Sequence, residues 1–312
     1  MSTHRPPVPW QLQFVLLSAI WGSSFLFIKV LGERWPPLWV ALGRVTLGAL
    51  TLLVITRASR APLTRDPRLW LHCAVVAVFF NAAPFTLFAY GEQHTSSIVA
   101  GLWNATTPLW VLVISLIAFG EERPTASRVG GLAVGFAGVV LLLGPWRGIA
   151  GGALTGQLAC AGAGLCYGLG FPYMRRFLSW RPESGAALSA MQLVSATAML
   201  AVFIPLSRGP ILHLSWQALA SLLALGVLGS GVAYALNFAI VRARGAAVAS
   251  TVTYLIPVFA TILGVVVLGE PLRWNQPAGT ALLLTGIAVS QGRLHTRSLT
   301  AAVRRRGLSQ MG

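Results

Sequence analysis

The sequence predicts an all-α polytopic membrane protein of ten transmembrane helices, arranged as two inverted five-helix repeats. Of its residues, 55% are hydrophobic and only 10% are charged, whereas a soluble domain carries about 25% charged residues. The apolar residues form repeated runs of roughly twenty, the length that a helix needs to cross the hydrocarbon core of a bilayer. The second half of the chain also repeats a pattern of the first half.

Polar or proline-rich segments separate the apolar runs and define two sets of five predicted spans. The first run is too long for a cleavable signal peptide, so we expect it to be retained as the first span. The chain then divides into a first repeat at 10–144, a second repeat at 153–291 and a basic cytoplasmic tail at 292–312. The predicted spans are 10–31, 37–56, 69–90, 97–118, 128–144, 153–175, 185–206, 216–241, 246–268 and 276–291.

The positive charges predict the orientation of these spans. With ten spans the two termini lie on one side of the membrane, and the connecting segments form two alternating sets. The set that includes both termini holds seventeen Lys and Arg residues, and the other set holds five. The positive-inside rule therefore predicts cytoplasmic termini. This distribution also explains the net charge of +16 without a nucleic-acid partner, because the charges lie between apolar runs and not on one basic face.

An internal repeat appears when residues 97–140 are aligned without a gap on residues 246–289, an offset of 149 positions. Because each half holds an odd number of spans, the second half must enter the membrane upside down relative to the first. Inverted repeats of this kind are typical of secondary carriers, in which two similar halves open a central site alternately to each side. The aligned pairs are Pro108 with Pro257, Gly120-Glu121 with Gly269-Glu270, and Gly130 with Gly279.

Several of these motifs also occur together in one known family. They are Ala19-Ile20-Trp21-Gly22-Ser23-Ser24-Phe25 with Lys29 in the first span, Arg44 in the second, and the Pro-to-Gly-Glu block in spans four and nine. From about residue 10 to residue 291, the chain resembles the drug/metabolite transporter superfamily, specifically its ten-helix EamA-type permeases. The resemblance implies a carrier of small metabolites, amino acids or drugs, usually an exporter, with its pathway between the halves. The region matching Arg44 in the second half, 190–192, is uncharged, which predicts an asymmetric site.

Arg44 is the first candidate substrate-binding residue. A guanidinium near the middle of a span costs several kcal/mol unless it faces a partner or water. Ala41, Gly48 and Thr51 share its helical face and make that face small and polar enough to line a cavity. A structural pairing with helix-end carbonyls or with a distant Glu is the alternative. Lys29 is a second candidate, although its position near a span end also allows it to extend to the membrane surface.

Seven aromatic or amide side chains lie well inside their predicted spans, whereas Trp and Tyr usually concentrate at the membrane borders. Apolar surface with a few hydrogen-bonding groups is the usual composition of a small-molecule site. These residues are therefore candidates for substrate binding, and packing against a neighbouring helix is the alternative for each. They are Trp21, Asn81, Trp103, Asn104, Tyr234, Asn237 and Tyr254.

Two prolines and two glutamates occupy matched positions in the repeats. Pro108 and Pro257 interrupt the backbone hydrogen-bond ladder at equivalent depths, which favours a gating or hinge role, with a static kink as the alternative. Glu121 and Glu270 end their spans, so we expect them to act as caps, as loop charges or as partners for arginines across the interface of the halves, with proton coupling as the alternative. No Asp or Glu lies in the middle of a predicted span. Proton relays usually need one, so the pattern favours facilitated movement or a coupling mode that the sequence does not reveal.

Other patterns predict packing. Cys73, Cys160 and Cys166 lie inside apolar runs and have neither the number nor the spacing of a disulfide framework or a zinc motif. The glycine-rich segment 130–138 lies in an apolar run and lacks the strand and acidic partner of a dinucleotide-binding loop. Small residues at a spacing of four instead predict close contact between helices.

The leading hypothesis is a secondary transporter in the plasma or inner membrane that uses alternating access. Its expected partners are a small-molecule substrate and membrane lipids, and no cofactor, metal or catalytic residue is predicted. The alternatives are a membrane-embedded lipid-modifying enzyme and a structural or sensor subunit. An enzyme needs a nucleophile with a base, or a metal cluster, and the five histidines are scattered without ligand spacing.

Overall fold

The structure, a computed structural model, describes residues 9–115, 117, 125–144, 146, 151–207, 215–244 and 252–290. Helices make up most of these residues, and no strand occurs in these ranges. Glu121, the first residues of the predicted span 246–268 and the predicted tail 292–312 lie outside the described residues.

The helices are numbered α1 to α10 in chain order, and a helix with an internal irregularity keeps one number. A 3₁₀ turn, Ile204–Leu206, follows α7. The helices are α1 Trp10–Gly32, α2 Pro37–Ala58, α3 Pro67–His94, α4 Ser97–Ile114, α5 Ala126–Leu143, α6 Gly151–Phe177, α7 Gly185–Phe203, α8 with the consecutive parts Trp216–Leu223, Ala224–Val232 and Ala233–Arg244, α9 Val252–Val266 and α10 Asn275–Ser290.

In the described part of the chain, six helices are long and apolar enough to cross a membrane: α1, α2, α3, α4, α7 and α8. Two shorter apolar helices correspond to α5 and α9. The predicted class, an all-α polytopic membrane protein, is confirmed. That all ten helices cross the membrane stays a prediction.

Irregular helical geometry occurs in α3 and α8, the third helix of each half. α3 contains a π-helical segment at Val78–Ala82, and Pro84, just beyond it, has no N–H to donate to the carbonyl four residues earlier. α8 contains a longer π-helical segment at Ala224–Val232, which is rich in glycine. Such segments are frequent at functional sites, and here they contain Asn81 and Ser230.

The matched prolines differ in their local structure. α4 is interrupted at Ala105 and Thr106, and Pro108 lies at the start of its second part, where it cannot donate to the carbonyl of Asn104. Pro257 lies inside the continuous helix α9. The predicted interruption is therefore a break in the first half, whereas the helix continues through the proline in the second.

The two halves of the chain pack against each other along their length. α2, α4 and α5 each pack against the helix five positions later, α7, α9 and α10. Three further contacts also correspond between the halves. The α1–α9 contact corresponds to α6–α4, the α1–α8 contact to α6–α3, and the α2–α8 contact to α7–α3. In each case the corresponding contact is obtained by replacing each helix with the one five positions away.

Glycines allow the closest of these contacts. A Cβ on Gly22 of α1 would overlap Phe259 of α9, and a Cβ on the matching Gly168 of α6 would overlap Trp110 of α4. In the glycine-rich segment of α5, Gly138 touches the backbone of Gly279 in α10. Segment 130–138 thus takes part in close helix packing.

Candidate functional site

Arg44 of α2 lies in a buried centre formed by three helices. Its side chain is only 6% exposed. The Nε donates a hydrogen bond to the Ser230 hydroxyl of α8, with 3.1 Å between Nε and Oγ. The guanidinium carbon lies 3.8 Å from the ring centre of Phe85 in α3, which is a favourable distance for a cation–π contact. The charge is therefore held by both halves of the chain.

The described residues use little of the hydrogen-bonding capacity of Arg44. A guanidinium carries five N–H donors, and within the described residues only the Nε has a hydrogen-bond partner. Gly229, next to Ser230 in α8, lies close to this charge, because a Cβ added there would lie 3.8 Å from an Arg44 terminal nitrogen and 3.1 Å from the Ser24 hydroxyl. These donors can bind an anionic group, which a planar guanidinium recognises through paired hydrogen bonds.

A second polar group lies beside this charge. The Asn81 amide nitrogen in α3 donates to the Tyr234 hydroxyl of α8, at 2.9 Å. The Tyr234 ring meets the Trp21 ring edge to face, with their centres 6.4 Å apart. Asn81 is fully buried, and its side-chain oxygen accepts no hydrogen bond from a described residue.

Tyr167 of α6 lies in the same region, because its ring packs against Phe80 and Phe88 of α3, the helix that carries Asn81 and Phe85. The centre therefore combines a cation, an amide, hydroxyls and aromatic faces, a composition typical of sites for small polar molecules. We call this set the central cluster: Trp21, Arg44, Asn81, Phe85, Tyr167, Ser230 and Tyr234.

The central cluster uses matched positions of the two halves. Asn81 and Ser230 are 149 positions apart, and so are Phe85 and Tyr234, which is the offset that aligns the repeats. Arg44 contacts one member of each pair, Ser230 and Phe85. The position matching Arg44 at the same offset is the uncharged Leu193, as expected for an asymmetric site.

The structure brings together only part of the predicted set. Trp21, Arg44, Asn81 and Tyr234 belong to the central cluster. Trp103 and Asn104 are buried in α4, Asn237 is half-buried one turn beyond Tyr234 in α8, and Tyr254 is half-buried in α9. Across the described part of the chain, no hydrogen bond or ring contact joins Trp103, Asn104 or Asn237 to Arg44.

Trp103 instead lines a separate apolar cavity between α4, α5 and α6. The cavity has a volume of about 210 Å³, and its other lining residues include Thr106, Trp110 and Phe136. The indole N–H of Trp103 donates no hydrogen bond to a described residue. Packing is thus the better interpretation of its apolar surface.

Lys29 of α1 lies at the end of α3. Its ammonium nitrogen donates to the backbone carbonyls of Glu92 at 2.6 Å and Thr95 at 2.8 Å. These carbonyls belong to the last turn of a helix, where they have no intrahelical donor and where a positive charge is favourable. Lys29 therefore caps α3, and its amino group is turned toward the neighbouring helix.

Glu92 is a buried acid that the predicted spans omitted. The span ended at residue 90, whereas α3 continues to His94 and buries Glu92 to 1% exposure. Helical spacing contained the signal, because Phe85, Phe88 and Ala89 precede Glu92 on the same buried face. The predicted end of this span at residue 90 was therefore wrong, because the polar residues at 91–94 were taken as a loop; Glu92 lies in the last turn of α3 and not in its middle.

Ser230, Tyr167 and Phe85 were also missed. Ser230 was detectable from the repeat, because it matches Asn81, and Tyr167 was detectable because Tyr167-Gly168 matches Trp21-Gly22. Nothing distinguished Phe85 from other apolar residues of its span.

Glu270 has the structural role expected for it. Its carboxylate accepts hydrogen bonds from the Ser97 N–H at 2.8 Å, the Ser97 hydroxyl at 2.9 Å and the Ile98 N–H at 3.0 Å. It therefore caps the first turn of α4 from the other half of the chain, where a negative charge is favourable. Its counterpart Glu121 lies outside the described residues.

The apolar helical bundle and its buried charged centre assign this chain to the polytopic membrane proteins with a polar interior. The EamA-like transporter family matches this chain twice, at residues 8–144 and again at 154–291. The chain belongs to the EamA-like transporter family, and it is a multi-pass membrane transporter of the drug/metabolite transporter type.

Curated relatives agree with this assignment. The transporter YoaV of Bacillus subtilis (strain 168) is 26% identical over 278 residues, which are 88% of this chain and 94% of that protein. The inner membrane transporter YedA of Escherichia coli (strain K12) is 28% identical over 267 residues, 82% of each chain. The match to one solved crystal structure covers 92% of this chain and 99% of the other chain, with a TM-score of 0.63 and 23% identity. The two chains thus share the fold.

Proposed function

We propose that the protein is a secondary transporter that exports small anionic or zwitterionic metabolites, amino acids or drugs. The observation that carries this proposal is the Arg44 guanidinium, which is buried between the halves and uses only its Nε to donate to a described residue. A hydrogen bond to a charged group contributes about 1.5–3 kcal/mol. An anionic group of the substrate would supply that energy inside the protein.

The rest of the substrate is proposed to lie against the aromatic and amide side chains. Trp21, Tyr234 and Asn81 contact one another within the central cluster, and the half-buried side chains of Asn237 and Tyr254 are proposed to extend the site. An amino acid or a related zwitterion fits this arrangement, because its carboxylate would bind Arg44 while its side chain would contact the rings. Export is the direction that the family resemblance implies.

Alternating access is the proposed mechanism, with ten spans in two inverted repeats at 10–144 and 153–291. The separate family match to each half and the reciprocal packing of α1 to α5 with α6 to α10 support it. The central cluster is closed, since Arg44, Asn81 and Ser230 are all buried. Opening to either side then requires the halves to move, and the break before Pro108 and the proline kink at Pro257 are the proposed hinges.

The orientation is proposed from charge. The uneven distribution of Lys and Arg supports cytoplasmic termini, and a relative named as an inner membrane transporter supports a plasma or inner membrane location.

Counterflow in liposomes tests the function. Purified protein is reconstituted into vesicles that contain an excess of one unlabelled amino acid or metabolite, and entry of its labelled form is followed for a panel of compounds. We expect transient accumulation of at least one anionic or zwitterionic compound, which stops when the internal pool is removed. Exchange confined to neutral or cationic compounds would contradict the proposed substrate class. Failure of correctly inserted protein to exchange any panel compound would contradict the proposed function for this range of substrates.

A further inference from the structure

Glu92 is a buried acid for which the proposed substrate site has no use. It lies in the last turns of α3 and is only 1% exposed. Neither carboxyl oxygen accepts a hydrogen bond from any described residue. Buried polar groups are almost always hydrogen-bonded, so a buried acid that has no donor among the described residues requires an explanation.

The surroundings of Glu92 keep its environment closed. The preceding residue, Gly91, packs directly on α6, where an added Cβ would overlap the sulfur of Cys160 and approach the Gly156 carbonyl. The following residue, Gln93, donates through its amide to the carbonyls of Gly32 and Trp35, each at 3.0 Å. The turn that carries Glu92 is therefore clamped between α1 and α6.

The titratable groups near Glu92 come from four segments. Lys29 of α1, Glu270 beyond α9 and Arg44 of α2 are the charged groups in its surroundings, and Cys160 of α6 packs on the adjacent Gly91. α4, which also packs near this turn, has no acidic, basic, cysteine or tyrosine residue in Ser97–Ile114. Within the described residues Glu92 forms no ion pair, because the Lys29 ammonium is occupied by two backbone carbonyls.

Protonation of the Glu92 carboxyl group removes the cost of a buried, unpaired charge in this closed conformation. An ionised carboxylate removed from water costs several kcal/mol unless donors or a paired cation compensate. A neutral carboxyl group avoids most of this cost. The charged form becomes favourable only when a conformational change admits water or allows Lys29 to turn toward it.

We propose that Glu92 is the proton-carrying residue of the transport cycle and that its partner in the deprotonated state is Lys29. The proposal rests on the transport function proposed above. The O–H bond of the carboxylic acid breaks, its proton passes to water on the side to which the pathway is open, and the carboxylate remains. The Lys29 ammonium then exchanges the carbonyls of Glu92 and Thr95 for the carboxylate, which releases the capped end of α3. Proton uptake from water on the other side restores the cap.

Infrared spectroscopy tests the proton site without a substrate. Difference spectra of the protein in liposomes are recorded between about pH 6 and pH 9, a range in which exposed carboxyl groups, with pKa values near 4, do not titrate. We expect a carboxylic acid band that disappears as the pH rises. It should be absent from Glu92→Gln and unchanged in the matched control Glu33→Gln, whose side chain is exposed at the end of α1. A spectrum without a pH-dependent band from Glu92 would overturn the proposal.

Gradient-driven uptake tests the coupling. The labelled compound that wild type exchanges fastest is used, with and without a pH gradient across the vesicle. We expect the gradient to drive accumulation by wild type and by Glu33→Gln. For Glu92→Gln, we expect the fold loss of gradient-driven accumulation to be about tenfold larger than the fold loss of counterflow. Counterflow by wild type with no response to the gradient would refute the coupling alone. If wild type exchanges nothing, the transport proposal fails separately and the infrared result decides whether Glu92 binds a proton.

Discussion

The Arg44 Nε and the Ser230 Oγ lie 3.1 Å apart and join the two halves of the chain by a buried hydrogen bond. Ser230 lies in the π-helical segment of α8, and its counterpart Asn81 lies in the π-helical segment of α3. Movement of one half against the other therefore acts directly on the residue proposed to bind the substrate. The following predictions concern this centre and the contacts that hold it.

Replacing Tyr234 by phenylalanine should impair transport more than stability. The change removes the hydroxyl that accepts a hydrogen bond from Asn81 and leaves the buried amide without this partner, at a cost of about 1 kcal/mol. We expect uptake of the exchanged compound to require a severalfold higher concentration, measured as KM in liposomes. Tyr90→Phe, at an exposed tyrosine, is the control. Equal KM values for the two variants would remove Tyr234 from the site.

Gly22 should not tolerate even an alanine. A Cβ at this position would overlap Phe259 and the backbone of α9 at Ile256, and overpacking of this kind costs about 1–3 kcal/mol. Thermal unfolding in detergent should show a lower Tm for Gly22→Ala. Gly130→Ala, on a helix surface with no neighbouring atom within 4 Å, should leave the Tm unchanged or raise it. A Tm for Gly22→Ala that equals that of wild type would contradict the close crossing of α1 and α9.

Glu270 should stabilise α4 from the other half of the chain. Glu270→Ala removes the acceptor of three hydrogen bonds at the start of that helix, and losing a helix cap costs about 0.5–2 kcal/mol. The unfolding midpoint in detergent should fall, whereas Glu33→Ala, at an exposed carboxylate, should have little effect. Unfolding of Glu270→Ala at the wild-type temperature would show that the cap contributes no stability.

Lys29→Met should distinguish a cap from a substrate contact. Removing the ammonium leaves two carbonyls at the end of α3 without their donor, so we expect a lower Tm by an amount corresponding to about 1–3 kcal/mol. If Lys29 also touches the substrate, KM should rise as well. Arg34→Met, an exposed cation in the next segment, is the control and should change neither quantity. A wild-type Tm for Lys29→Met would contradict the capping role.

The sequence predicted the fold class because membrane burial imposes a simple rule on composition, runs of about twenty apolar residues. Helix ends were less predictable, since they depend on contacts made by distant residues. The segment at 91–94 is polar, yet it continues α3, because Lys29 donates to the carbonyls at its end and Gln93 donates to the Gly32 carbonyl at the end of α1. The error at this one boundary concealed Glu92.

Four of the seven residues of the central cluster were predictable for a related reason. Arg44, Trp21, Asn81 and Tyr234 are unusual residue types at their depth, so they were recognisable as candidates. Ser230 is ordinary in composition and was detectable only through its repeat match to Asn81. Phe85 was not recognisable, because it acquires its role through packing on Arg44, 41 positions away in sequence. Trp103 was equally unusual in type, yet it packs against a separate apolar cavity.

Counterflow with Arg44→Gln tests the central claim most directly. The comparison uses wild type, Arg44→Gln and Arg57→Gln, the last an exposed arginine at the other end of the same helix. Protein amount, insertion and Tm are matched before flux is measured. The account predicts that Arg44→Gln loses exchange at least about tenfold, since one charged hydrogen bond is worth more than 1.4 kcal/mol, while Arg57→Gln exchanges like wild type. Normal exchange by folded Arg44→Gln would contradict the placement of the substrate site at Arg44.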